Sequence, residues 1–137
     1  MNNDIIVRDW IKDCPYMQDR YARKIGVKNL EYGIYPSPIQ PIYRENVLGE
    51  LVPDEIQESM FILTAKMQYI DGEVNRYSFY QGVIDWIDEQ NRLKHFPILN
   101  EGIVRSVNAR FSQYVSEPNR AEERSEIQIR FTYRKKS

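Results

Sequence analysis

Asp85 and Glu89 stand one helical turn apart, a spacing that can place two carboxylates together for acid–base work or for a hard cation. Asp88 and Arg92 share the i,i+4 spacing of ordinary surface ion pairs, which favours a solvated or interface-facing helix side over a catalytic pair. His95 is the only histidine, so no multi-histidine metal site can form. Its place before Phe96-Pro97, at a helix end, reads as a dipole or packing partner. Cys14 falls on an apolar stripe and reads as a small buried hydrophobe rather than a nucleophile. The glycines do not make a nucleotide-binding spacing. No catalytic, cofactor or metal residue is therefore assigned, and the chain is not expected to be an enzyme.

Arg20, Arg23, Lys24 and Lys28 surround Tyr21 and have the make-up of a phosphate contact. A face complementary to an acidic neighbour explains them equally well. Arg134-Lys135-Lys136 reads as a similar small cluster or a solvated tail. Net charge over the 137 residues is only -1, which argues against broad binding to nucleic acid or to an anionic membrane surface. The composition, 42% hydrophobic and 28% charged, is that of one globular, soluble domain spanning 1–137. Apolar runs such as Met60–Leu63 fall far short of the about 20 residues of a membrane helix. Met1-Asn2-Asn3-Asp4 lacks a secretory pattern. A single cysteine excludes an internal disulfide and agrees with a reducing compartment. The ten tyrosines fit sheet faces first and protein contacts second.

These residues need elements to hold them. Asp4 is the expected cap of a first helix whose stripe is Ile6, Val7, Trp10, Ile11 and Cys14, closed by Pro15. Leu30, Tyr32 and Ile34 alternate as a short strand, and Pro36, Pro38 and Pro41 demand a turn or an edge. The stretch from Ile42 to Val52 predicts a loose hairpin or protruding loop. Ile56 to Ile70 is a long strand with Phe61, Leu63, Ala65, Met67 and Tyr69 on its buried face. Ser78 and Gln81 read as the capping box of a second helix with the stripe Phe79, Val83, Trp86, Ile87 and Leu93. Trp86 is expected between that helix and the sheet, and Pro97 ends the segment. Val107, Ala109 and Phe111 mark another strand, and Ile127, Ile129, Phe131 and Tyr133 a half-buried last one. Ser116 to Ser125 reads as an exposed loop. The expected class is α+β: a mostly antiparallel sheet of about five strands with two main helices.

The run Phe79-Tyr80-Gln81-Gly82-Val83-Ile84-Asp85-Trp86-Ile87-Asp88-Glu89-Gln90-Asn91-Arg92-Leu93, then Phe96-Pro97 and Leu99-Asn100-Glu101-Gly102, resembles the tail terminator (tail-completion) proteins of tailed phages and phage tail-like particles. The segments ending at Asp13-Cys14-Pro15, Leu30 to Pro38, and Glu126 to Tyr133 follow that family's order. The resemblance implies a structural virion protein without catalytic residues. It implies a homo-oligomeric, hexameric ring that caps the tail tube, ends its polymerisation and presents a joining surface to a head–tail connector or neck protein. Assembly in the host cytoplasm and residence in the virion tail or neck follow from it, with no membrane or specific nucleic acid as partner. One departure is the acidic stretch Arg44 to Glu58, where relatives often carry a Gly-rich or basic hairpin.

A ring needs one patch that meets a different patch on the next copy. The basic Arg20, Arg23 and Lys24 and the acidic Glu50, Asp54, Glu55, Glu122 and Glu123 are the candidate interface residues. A neck, head-closure or sheath-capping piece of the same particle is the alternative. A nucleic-acid-binding regulator using the basic segment, and an enzyme using Asp85 and Glu89, are the readings from other classes.

Overall fold

The computed structural model describes residues 2–18, 27–69, 76–116 and 122–136. Helix α1 (Asn3–Ile11) is followed by a 3-10 turn (Pro15–Met17), β1 (Val27–Ser37), β2 (Tyr43–Glu45), β3 (Leu51–Pro53) and β4 (Ile56–Tyr69). Helix α2 (Arg76–Leu93), β5 (Gly102–Ser116) and β6 (Glu122–Lys135) complete the order. The four long strands form one antiparallel sheet in the order β1-β4-β6-β5, while β2 and β3, among the described strands, pair only with each other. The α+β class is as expected; the strands number six among the described residues, in two sheets.

The alternation of β6 decides which face is covered. Ile127, Ile129 and Phe131 are at most 1% exposed, and their ladder partners on β4 include Leu63 and Phe61. Both helices lay their apolar stripes on this face. Val7, Ile11 and Cys14 come from the α1 segment, and Phe79, Val83 and Ile87 from α2, all fully buried. Phe131 stands edge-on to Phe61 and Trp10, and Trp10 packs on Trp86 at 5.1 Å between ring centroids. Trp86 is thus half-buried against Trp10 of the other helix rather than enclosed between α2 and the sheet. Leu93 is 43% exposed and has left the stripe it was assigned to.

The helix ends differ from their expected caps. Asn2, not Asp4, occupies the N-cap of α1, and its carbonyl receives the Ile5 and Ile6 N–H groups; Asp4 lies in the first turn. There its charge complements the helix dipole. Helix α2 begins at Arg76, which places Ser78 inside it and removes the capping box. At its far end Lys94 adopts φ 57°. The Lys94 N–H then reaches Asn91 O, and His95 N–H reaches Gln90 O. That is a Schellman closure without its usual glycine. It aims the His95 carbonyl at Trp10, whose Nε1–H donates to it at 3.0 Å. His95 therefore works through its backbone, and its side chain is exposed.

Two glycines exist for close approach. The Tyr16 ring covers Gly82 so closely that a Cβ there would lie 2.1 Å from Tyr16 Cζ, and Tyr16 is braced edge-on by Phe79. At Gly102 a Cβ would lie 2.1 Å from the Arg134 carbonyl oxygen, where β5 enters the sheet. Part of the stretch expected as a loop from Ser116 to Ser125 is strand: β5 runs to Ser116, and β6 starts at Glu122, paired with Gln68, while 117–121 lie outside the described residues. A strand pairing on both sides overrides the polar composition that reads as loop.

Replacing Phe131 by alanine should destabilise the domain by about 3–5 kcal/mol, because it empties the junction of both helices with the sheet; urea unfolding measures it. Burial pushes the Cys14 thiol from its ordinary 9.0 up to about 11. The folded state holds that proton more tightly than the unfolded chain, so the stability it contributes is complete below pH 9.0 and is lost between 9.0 and about 11. Thiol labelling of the native protein at pH 8 should be slow and become fast in denaturant.

Candidate functional site

Two features of the surface are left over once the core is closed. The first is the second face of the sheet. Ladder pairing lines up Ser37, Met60, Arg130 and Asn108 across it, and next to them Tyr35, Ile62, Gln128 and Arg110. No described helix covers these rows: Tyr35 is 58% exposed, and Asn108 and Arg110 are exposed as well. A polar depression of about 100 Å³ is lined by Asn108, Arg110, Gln128 and Arg130. Arg130 is already engaged, with Glu58 at 3.3 Å and with the Met60 sulfur at 3.9 Å. This face is mixed in charge and gives no cluster aimed at one ligand.

The second feature is the β2–β3 hairpin, an arm that pairs with no other described strand. Its tip is built by Asn46, whose Oδ1 accepts the Leu48 and Glu50 N–H groups at 2.9 Å each. Gly49 closes the turn at φ 80°, a region where a side chain is strained. The turn turns Val47 and Leu48 outward, 101% and 78% exposed, and the arm adds Tyr43 at 55% and Leu51 at 74%. Scattered exposed hydrophobes are normal, but four on one short projection make it a candidate contact surface.

A two-stranded hairpin is marginal alone in water. This one is held at its root by Gln57, the single polar residue buried among the described residues, 5% exposed. Its Oε1 accepts the Ile42 N–H at 2.9 Å, and its Nε2 donates to Ile42 O and Asp54 O at 2.8 Å each. Asp54 Oδ1 accepts the Ile56 N–H, and the Asp54 N–H reaches Ile42 O. The amide thus clamps the segments entering and leaving the arm, fixing its direction relative to β4.

The expected interface residues separate accordingly. Glu50 lies exposed on the arm beside its tip. Asp54 and Glu55 lie at the root, where Asp54 serves the clamp and Glu55 pairs with Arg134 at 3.3 Å. Asp54 thus acts as a structural acceptor through Oδ1. Glu122 and Glu123 sit on β6, not in a loop, paired in register with Gln68 and Met67. Arg20, Arg23 and Lys24 lie outside the described residues. The carboxylates of α2 do not act as a pair. Asp85 accepts from Gln81 at 2.7 Å, and Arg92 forks onto Glu89, not Asp88. The fork holds the Glu89 pKa down, while partial burial and then Asp85 raise that of Asp88. Among the described residues no group of His, Cys, Asp and Glu is placed to hold a metal ion, and no helix is long and apolar enough to cross a membrane.

Sequence reasoning saw the charges of this arm and missed its apolar tip. The available signal was Val47-Leu48 next to Asn46 and Gly49: a turn that forces two hydrophobes outward.

Replacing Gln57 with leucine should remove three hydrogen bonds and take the Gln57 partner from the Ile42 N–H and the Asp54 carbonyl, while Ile42 O keeps the Asp54 N–H, at a cost of about 1–3 kcal/mol. Hydrogen exchange should quicken at the Asn46, Gly49 and Asp54 amides while the β4–β6 ladder stays protected.

No family model matches the chain, and no curated protein is similar to it in sequence.

Proposed function

We propose that this chain is a ring-forming structural component of a phage-type tail: it caps the tail tube, ends tube polymerisation and offers the surface that joins the head. The observation that carries the reading is the β2–β3 arm. Tyr43, Val47, Leu48 and Leu51 stand in solvent on a hairpin whose root is clamped by a buried amide. Preorganised apolar surface of this kind gains by binding another protein surface, since little ordering is left to lose on contact. The resemblance read by residue pattern in Phe79 to Leu93 is what points to a tail terminator, and the arm is a means of assembly in keeping with it. The tube protein and a connector or neck protein are the partners, in the virion tail or neck after assembly in the host cytoplasm.

The arm also bears on the alternative. Glu45 and Glu50 flank an apolar tip where tail terminators often carry a Gly-rich or basic hairpin, a departure that leaves room for a different neighbouring ring and so for a neck, head-closure or sheath-capping role.

A tube subunit has two ends that fit each other, so growth has no intrinsic stop; a cap offers one tube-like face and one that a tube ring cannot use. Particles assembled without this protein should show tubes of irregular, often excessive length, or tails without heads. Purified protein should decorate tube ends in electron micrographs. Normal tails joined to heads in its absence, or a protein that never binds a tube end, would overturn the reading. Normal tube length with missing heads or a fraying sheath would favour the neck or sheath-cap role.

A further inference from the structure

The arm is itself a small sheet with two outer edges, and its hydrogen-bond phase decides what each edge offers. Asn46 N–H reaches Glu50 O, and Asp54 N–H reaches Ile42 O. The pair Arg44↔Val52 lies midway between these two, so Ile42, Arg44 and Asn46 turn their backbone groups into the hairpin. Tyr43 and Glu45 therefore turn their N–H and C=O groups outward from β2. On β3 the outward positions are Leu51 and Pro53, and Pro53 has no N–H to give. One edge of the arm is thus blunted and the other is open. All of β2 is exposed, and no described residue outside the hairpin bonds to the Tyr43 or Glu45 backbone. Cross-strand neighbours share a face. Tyr43 and Glu45 stand with Pro53 and Leu51 on one side, and Arg44 stands with Val52 on the other.

We propose that β2 takes up an extended segment of another protein as an added antiparallel strand. Main-chain bonds supply the affinity and the side chains supply the choice of partner. Tyr43 and Glu45 each exchange both backbone bonds with the residue opposite. Arg44 meets its opposite residue in the closer, non-bonded pair, where an acidic side chain is favoured and a basic one repelled. Glu45 selects a basic residue and Tyr43 an apolar one. Read from its N-terminal end, the partner segment is basic, acidic, apolar. A second copy cannot supply this strand from its own β2. The registers that keep outward groups opposed set Arg44 on Arg44, Glu45 on Glu45, or Glu45 on Pro41, which has no N–H. This refines how the arm binds and does not depend on which particle the chain belongs to.

The test adds a synthetic peptide, acetyl-Thr-Val-Lys-Glu-Ile-Thr-Val-amide, to the full chain and follows amide exchange by NMR. In the protein alone the Tyr43 and Glu45 amides should exchange fast, while those of Arg44 and Asn46 are protected. The peptide should slow exchange at Tyr43 and Glu45. A peptide with its Lys and Glu interchanged should bind about tenfold more weakly, since two cross-strand charge pairs become repulsive. Glu45→Pro removes an outward N–H and leaves the inner ladder whole, so peptide protection at Tyr43 should be lost. Arg44→Glu combined with Glu45→Lys leaves every backbone group in place and should prefer the interchanged peptide. No protection at Tyr43 and Glu45 up to the solubility limit of the peptide, protection on β1 or β5 instead, or unchanged binding by Glu45→Pro overturns the proposal. Concentration-dependent protection of the two amides in the protein alone also overturns it, by giving the edge to a second copy. Tube-end binding is scored separately: its loss with the peptide result intact sinks the capping reading alone, and its survival without peptide binding sinks only the added strand.

Discussion

Phe131 is the side chain on which the arrangement of layers depends. It meets Trp10 of α1 and Phe61 of β4 edge-on, and Trp10 meets Trp86 of α2, so two helices and the two central strands are fixed at one aromatic junction. Edge-to-face rings are directional as well as apolar, so the junction sets orientation along with burial. The Lys94 closure adds to it by delivering the His95 carbonyl to Trp10. With both described helices held on one side, the other face of the sheet carries Asn108 and Arg110 exposed and Gln128, Arg130 and Thr132 half-buried.

Both edges of this sheet are long, and long edges invite unwanted pairing. On β1 the strand continues through Pro36, which has no N–H to offer a neighbour, and Pro38 follows at once. On β5 the Val107 N–H is taken by Asn91 Oδ1 of α2 at 2.9 Å. These devices leave the arm, rather than a sheet edge, as the projection best suited to a controlled contact. Its preorganisation comes from Gln57, and the same buried amide makes the arm costly to release, because swinging the arm out would strip Gln57 of its three hydrogen bonds to Ile42 and Asp54.

Much was legible in the sequence because it rests on period. The two-residue alternation of Ile127 to Tyr133 and the three- and four-residue steps of Val7 to Cys14 and Phe79 to Ile87 fix which side of each element is apolar, and those residues are the core. Prolines 36, 38 and 41 marked an edge and a break for the reason already given. The absence of a second histidine or cysteine bounded the chemistry at once. What the chain alone left open depends on partners distant in sequence. Ser78 and Gln81 have the pattern of a cap, but a helix starts where its packing allows, here at Arg76. Glu122 and Glu123 read as loop because they are polar, whereas their pairing with Met67 and Gln68, more than fifty positions away, makes them strand. Trp86 belongs to an apolar stripe, yet its neighbour is Trp10 of the other helix, which no periodicity reveals. The arm is the sharpest case. Local sequence determined its turn through Asn46 and Gly49, whereas its isolation from the sheet, its clamp by Gln57 and the exposure of Val47 and Leu48 were decided by tertiary structure, because burial is a property of what surrounds a residue and not of the residue itself.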